Sequence, residues 1–359
     1  MKIRSRSEYS RPCAILTAMS TLTARGSLLE TVRLSRELTQ MYVANATGIS
    51  QATLSKVESG TFEIDPDKWR LIAQVLGVPV EAFETATSEL YPARIFHRKR
   101  KTTPLGAVKK IGADLALTGR RIDDLLGAPR TRLKRHDLED GFVTPQEIAA
   151  IVRNEIGAGS GPIDNLTGVI EAAGVWILRW PLDTLQVDAI ASWPEDAAPV
   201  ILIGDHVAPE RLRFTMAHEI GHAVMHDSET SEAQEREADA FAGELLLPSH
   251  ALRNEWPTVP DLDSFIELKR RWGVSLSALI RRAFDTALLD ENQYRDWSIR
   301  LSTSGMHRRE PAPLDAEQPR ALANAVAAAI STGSSIEDLA ARAHMDPLEF
   351  ESIFLEEAR

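Results

Sequence analysis

The segment His218-Glu219-Ile220-Gly221-His222 constrains this chain more than any other stretch. Two histidines four residues apart lie on one face of an α-helix, so both imidazoles can meet a single metal ion. The Glu219 carboxylate then stands beside the open coordination position, where it can take a proton from water. The neighbouring residues agree with a helix. Phe214, Ala217, His218, Gly221, His222 and Met225 recur at helical spacing and predict one inward face on a helix from about Glu210 to His226. Two histidines and a glycine are poor choices for a face that only packs, because buried imidazoles need partners.

A third protein ligand has to come from elsewhere in the chain. Cys13 is the one cysteine, which excludes a four-cysteine zinc site, a cysteine-ligated cluster and internal disulfides, and agrees with a reducing cytoplasm. The next predicted helix, Ser231 to Leu247, buries Ala238, Phe241, Ala242 and Leu245 and carries Glu235, Glu237 and Asp239 around that face. Glu237, four residues before Phe241 and eight before Leu245, is the expected ligand. Glu235 is the alternative, and Asp239 is expected to support a ligand histidine from behind. His226 follows His218 by eight residues, about 12 Å of helical rise, too far for one ion to span. A packing or hydrogen-bonding role is expected for it.

With 359 residues, the chain suggests two or three domains, and 43% hydrophobic residues is ordinary for a globular protein. The net charge of −11 conceals an asymmetry. Residues 1–135 hold 23 basic and 13 acidic side chains, residues 136–359 hold 18 and 39, and the basic excess is concentrated in 91–135, with 13 against 3. An acidic body with one basic segment excludes a general nucleic-acid binder and allows a local contact with phosphates. No apolar run approaches the roughly 18 residues of a membrane span, so no membrane partner is expected. The patch Cys13-Ala14-Ile15-Leu16, after Lys2, Arg4, Arg6 and Arg11, is too short for a signal peptide. Residues 1–26 read as a disordered tail, or as sequence upstream of a true start at Met19.

Residues 27–90 read as one domain, helical throughout from Ser27 to about Glu84. Leu28, Val32, Leu34 and Leu38 line a first helix, Thr39 caps a second, Gly48-Ile49-Ser50 is a tight turn, and Ser50 caps a third helix from Gln51 to Glu58. Two short helices joined by a glycine-containing turn form a helix-turn-helix. The run LTQMYVANATGISQATLSKVESGTFEIDPDKWRLIAQVLGV resembles the XRE-type, lambda-repressor-like family. That resemblance implies DNA binding, with Gln51, Ala52, Thr53, Ser55 and Lys56 facing the major groove or nearby phosphates and Gln40 touching the backbone. A glutamine pairs with adenine through two hydrogen bonds, which makes Gln51 the expected base reader. Residues 27–90 carry 5 basic and 9 acidic side chains, a poor balance for neutralising phosphate. Either the segment Arg94 to Lys101 supplies the missing charge, or the module docks protein instead.

Residues 91–143 form a basic helical connector with a helix from Pro104 to Leu126, and Thr144-Pro145 opens another that runs to about Ile156. Val175–Leu178, Ala189–Trp193 and Val200–Ile203 are three short strand-like runs before the histidine helix. The blocks RFTMAHEIGHAVMH, EREADAFAGELLLP and RRWGVSLSALIRRA, in that order, resemble the ImmA/IrrE family of metallopeptidases. The resemblance implies a multidomain protein: an all-α helix-turn-helix domain, an α+β zincin-like domain over 144–300 with a small sheet whose edge receives substrate, and a helical region over 301–359. It further implies zinc, with manganese as an alternative, held by His218, His222 and Glu237, with Glu219 as the base, in a cytoplasmic protease that cuts an XRE-type repressor. A homodimer is left open. Two other readings compete. One is a transcription factor whose peptidase-like part only senses, which an intact Glu219 disfavours. The other is a deformylase, which needs a cysteine near the motif. Tyr294 and His250 are the residue types available to stabilise an oxyanion.

Overall fold

The computed structural model describes residues 11–84, 104–127, 131–136, 138, 143–182, 187–194, 197–226, 231–306 and 309–355. In chain order the first helices are α1 (Arg11–Ser35), α2 (Gln40–Thr47), α3 (Gln51–Glu58), α4 (Pro66–Leu76), α5 (Glu81–Glu84) and α6 (Leu105–Leu126). Then come α7 (Pro145–Glu155), α8 (Leu166–Ala172), β1 (Trp176–Trp180), β2 (Ala189–Ser192), β3 (Val200–Gly204), α9 (Pro209–Met225) and α10 (Glu232–Leu246). The chain continues through α11 (Ser249–Glu255), α12 (Leu262–Trp272), α13 (Leu276–Asp285), α14 (Glu291–Thr303), α15 (Ala321–Ser331), α16 (Ile336–Arg342) and α17 (Pro347–Phe354). The multidomain class expected above holds: helical at both ends, with a small sheet among helices between them.

Two compact units divide the chain, and they do not follow its linear order. The first gathers residues 11–84, 104–127 and 326–355, so the connector helix α6 and the C-terminal helices share a unit with the helix-turn-helix. The second holds the described residues between 131 and 325. Helix α1 starts well before Ser27, so much of the expected N-terminal tail is helical. The basic stretch Arg94 to Lys101 lies outside the described residues. In the first unit Leu29, Leu54, Ile72 and Phe83 are buried together in a hydrophobic core. A bond from Ser35 Oγ to the Asp114 carboxylate, 2.6 Å, ties α1 to α6, which buries Ile111, Leu115, Ile122 and Leu125 along one stripe.

The second unit is built round a three-stranded sheet of order β1-β3-β2, with β3 parallel to β1 and antiparallel to β2. Val200, Ile201, Leu202 and Ile203 are completely buried, as a central strand covered on both faces requires. Helix α9 packs against β2, α7 and α10. From Met216 to Met225 it is buried all round rather than along the single inward face expected from spacing, because three elements cover it. Ser231 and Gln234 cap α10 reciprocally.

Gly221 sets the approach of these two helices. A Cβ at that position would stand 2.9 Å from Cδ1 of Phe241 and 3.4 Å from Cα of Ala238. Gly221→Val is therefore expected to cost about 1–3 kcal/mol by overpacking, seen as a lower thermal midpoint. An unchanged midpoint would show that α9 and α10 are not spaced at this residue.

Candidate metal centre and DNA-facing surface

Helix α9 brings His218 Nε2 and His222 Nε2 to 3.0 Å from each other. The first turn of α10 sets the Glu235 carboxylate against both, 3.6 Å from His218 Nε2 and 3.4 Å from His222 Nε2. Among the described residues these three side chains offer ligand atoms that lie within 4.8 Å of one another. A tetrahedral centre with bonds of about 2.0–2.1 Å separates its ligands by about 3.3–3.4 Å, so the spacing suits one small divalent ion. Two imidazoles and one carboxylate are also a zinc-type donor set, and manganese accepts the same donors.

Glu237 does not join them. Its Oε2 bonds Nε2 of His226 at 3.0 Å. The reason is helical geometry. Glu235 and Glu237 border the buried stripe of α10 on opposite edges, and hydrophobic spacing ranks the edges equally. Asp239 shares Glu235's edge, one turn on, and meets Nδ1 of His218 at 2.9 Å. An Asp239 that backs His218 thus already implied Glu235 as its companion at the imidazoles.

Both histidines are fixed from behind, and the network assigns their tautomers. Nδ1–H of His218 donates to Asp239, so in the neutral form of the ring, the form that binds a metal, the Nε2 lone pair faces inward. Nε2–H of His226 donates to Glu237; His226 Nδ1, thereby an acceptor, takes Nδ1–H of His222 at 2.9 Å. The His222 Nε2 lone pair faces inward as well. His226, expected only to pack or to hydrogen-bond, orients the neighbouring ring. Sequence spacing contained the signal, since His226 sits one turn beyond His222.

Electrostatics favours positive charge between these groups. Burial alone would lower His218, but hydrogen bonds to Asp239 and Glu235 overcome it and raise the imidazole to about 9. Burial lowers His222. The bonds to His218 and His222 hold Glu235 far below the usual carboxylate range. Glu219 is only 1% exposed, and its Oε2 has no hydrogen-bond partner among the described residues. Burial lifts it to about 8, against the pull of His218 and with help from the charges of Glu235 and Asp188. A buried carboxyl group with an unsatisfied oxygen and a raised pKa is the kind of group that marks a candidate functional site. Tyr294 stacks on Phe284 at 4.7 Å and His250 is exposed; neither belongs to the cluster.

In the first unit, Thr39 and Ser50 cap α2 and α3 as expected, and Gly48 makes the turn at φ 66°. Gln51, Ala52, Ser55 and Lys56 are exposed on α3, while Thr53 is partly covered and pairs with Ser50. Beneath them lies a buried ion pair in which Arg33 Nε and Nη2 meet Glu58 at 2.6 and 2.9 Å. Glu58 accepts from Gln40 Nε2 at 2.6 Å, and Gln40 Oε1 accepts from Gln51 Nε2 at 2.7 Å. Because a carboxylate only accepts, Glu58 fixes the amide of Gln40 and through it that of Gln51. Gln51 is left with one N–H and its Oε1, the pair that matches adenine. Gln51→Ala is expected to cost about 1–3 kcal/mol of discrimination at one base pair without changing the salt dependence, measured by titrating duplexes selected from random sequence. A reduced salt slope instead would make Gln51 a phosphate contact.

Comparison with known families agrees with this division. Residues 170–284 match the peptidase M78 family, described as the IrrE N-terminal-like domain, and residues 29–83 match a helix-turn-helix family. The first match spans the sheet strands, α9, α10 and both histidines, and indicates a metallopeptidase-type domain that uses a metal. The second supports DNA binding by the first unit. No curated protein matches the chain. No helix among the described residues is long and apolar enough to cross a membrane.

Proposed function

We propose that this protein is a divalent-metal endopeptidase, zinc being the expected ion, that cleaves a DNA-binding repressor and thereby relieves repression of stress or mobile-element genes. The observation that carries the reading is the convergence of His218, His222 and Glu235 beside the partnerless Oε2 of Glu219. Bound by those three residues, the ion supplies Lewis acidity, which acidifies water and polarises a carbonyl. Glu219 accepts the proton from water at Oε2 and returns it to the leaving amine. Asp239 and the Glu237–His226 pair hold the two imidazoles in the orientation and tautomer that ligation needs. β2 is an edge strand packed on α9, and its outer backbone groups suit an extended peptide. A chain that joins such a domain to a repressor-type helix-turn-helix suits a substrate of that same repressor class.

The test is to look for an XRE-type repressor gene beside the gene of this protein, to incubate that repressor with the protein and zinc or manganese, and to read intact masses. Two fragments whose masses account for the repressor plus one water are expected. Metal bound at one equivalent with the repressor uncut under both ions would overturn proteolysis and leave a DNA-binding regulator that senses through this domain.

A further inference from the structure

The C-terminal helices repeat the helix-turn-helix. With Ser331 set on Ser35, the chain from the end of α15 through α17 overlays the chain from the end of α1 through α3 without a gap. Seven backbone hydrogen bonds correspond one to one. Arg36 to Val32, 3.1 Å, matches Thr332 to Ala328, 3.1 Å; Leu38 to Arg33, 3.0 Å, matches Ser334 to Ala329, 3.1 Å. Ile49 to Ala44, 3.1 Å, matches Met345 to Ala340, 2.9 Å; Leu54 to Ser50, 2.9 Å, matches Phe350 to Asp346, 2.9 Å. Positive φ falls at the same two places: Glu37 and Gly333 in the first turn, Gly48 and His344 in the second. The caps correspond too, Thr39 with Ser335 and Ser50 with Asp346. So does the core: Val43 with Leu339, Ala44 with Ala340, Ile49 with Met345 and Leu54 with Phe350, all buried.

What fails to correspond is the reading chemistry. The places of Glu58, Gln40 and Gln51, which orient an amide for a base, hold Phe354, Ile336 and Pro347. Phe354 is buried where the first repeat keeps an ion pair, a replacement that preserves packing and removes polarity. Thr53, Ser55 and Lys56 give way to Glu349, Glu351 and Ser352, so the face that would meet phosphate is acidic. Glu349 is instead engaged within the unit. It meets Arg36 Nη2 at 2.6 Å and Arg121 Nη1 at 3.5 Å. Arg342 also bonds the Leu125 carbonyl at the end of α6. Arg36 lies in the turn just before α2, the helix that in this motif crosses the DNA backbone with its N-terminus at phosphate.

We propose that residues 326–355 are a second helix-turn-helix that no longer reads nucleic acid and serves as an acidic clamp on the first, withholding Arg36 from DNA phosphate. The proposal rests on the first unit binding DNA. It is tested on the full-length protein with a fluorescein-labelled duplex of mixed sequence, about 20 base pairs, titrated across a range of salt. Glu349→Ala is expected to tighten binding by about three- to tenfold at low salt and to steepen the log–log salt slope by about one. Arg36→Ala should remove that gain, so that the double variant binds like Arg36→Ala alone, and Glu351→Ala should change little. Unchanged affinity in Glu349→Ala, an equal gain in Glu351→Ala, or a gain that survives Arg36→Ala would overturn the clamp while leaving DNA binding intact. No binding of any duplex by any variant would overturn both.

Discussion

Glu219→Gln is expected to retain one metal ion per chain and to slow repressor cleavage by about 100-fold or more. The amide has the size of the carboxylate and cannot take a proton at the oxygen the mechanism uses, and general-base groups typically contribute about 10²–10⁴-fold. The variant should also fold. Burial already favours the neutral form of Glu219, whose Oε2 has no partner among the described residues, and a neutral amide of the same size suits that environment. Its thermal midpoint is thus expected to stay close to that of the parent. Cleavage at the parental rate, with metal and fold intact, would remove Glu219 from the mechanism and with it the main reason for reading the site as catalytic rather than structural.

The second large effect separates two carboxylates two residues apart. Zinc held by about four ligands binds with about 10–16 kcal/mol in structural sites, so one ligand carries roughly 3–4 kcal/mol, about 10²–10³-fold in affinity. Glu235→Ala should show a loss of that order in competition with a chromogenic chelator. Glu237→Ala should show less, about 10–100-fold, because it removes only the group that orients His226 and, through it, His222. The reverse ranking would mean that binding draws α10 round until its other edge faces the imidazoles.

Much of this was legible in the chain. The helix carrying the histidines, the two helix caps of the N-terminal motif and the three strands fall within a residue or two of their expected places, because spacing and capping residues are local signals. The third ligand was less so. Hydrophobic periodicity locates the buried stripe of α10 and leaves its two edges equivalent; the way α10 lies across α9, with Gly221 against Phe241, decides that Glu235 and Asp239 face His218. The spatial grouping of α6, α16 and α17 with the first helices depends on contacts distant in sequence, such as Arg36 with Glu349. The repeat itself was hidden for a related reason. It survives in turns, caps and core sizes, while the side chains by which a helix-turn-helix is recognised have been replaced.

Crystals of the protein grown with zinc, measured on both sides of the zinc absorption edge, would locate the ion directly. One anomalous peak is expected at about 2 Å from His218 Nε2, His222 Nε2 and a Glu235 oxygen together. A peak between His226 and Glu237, or none at one equivalent of zinc, would contradict the assignment.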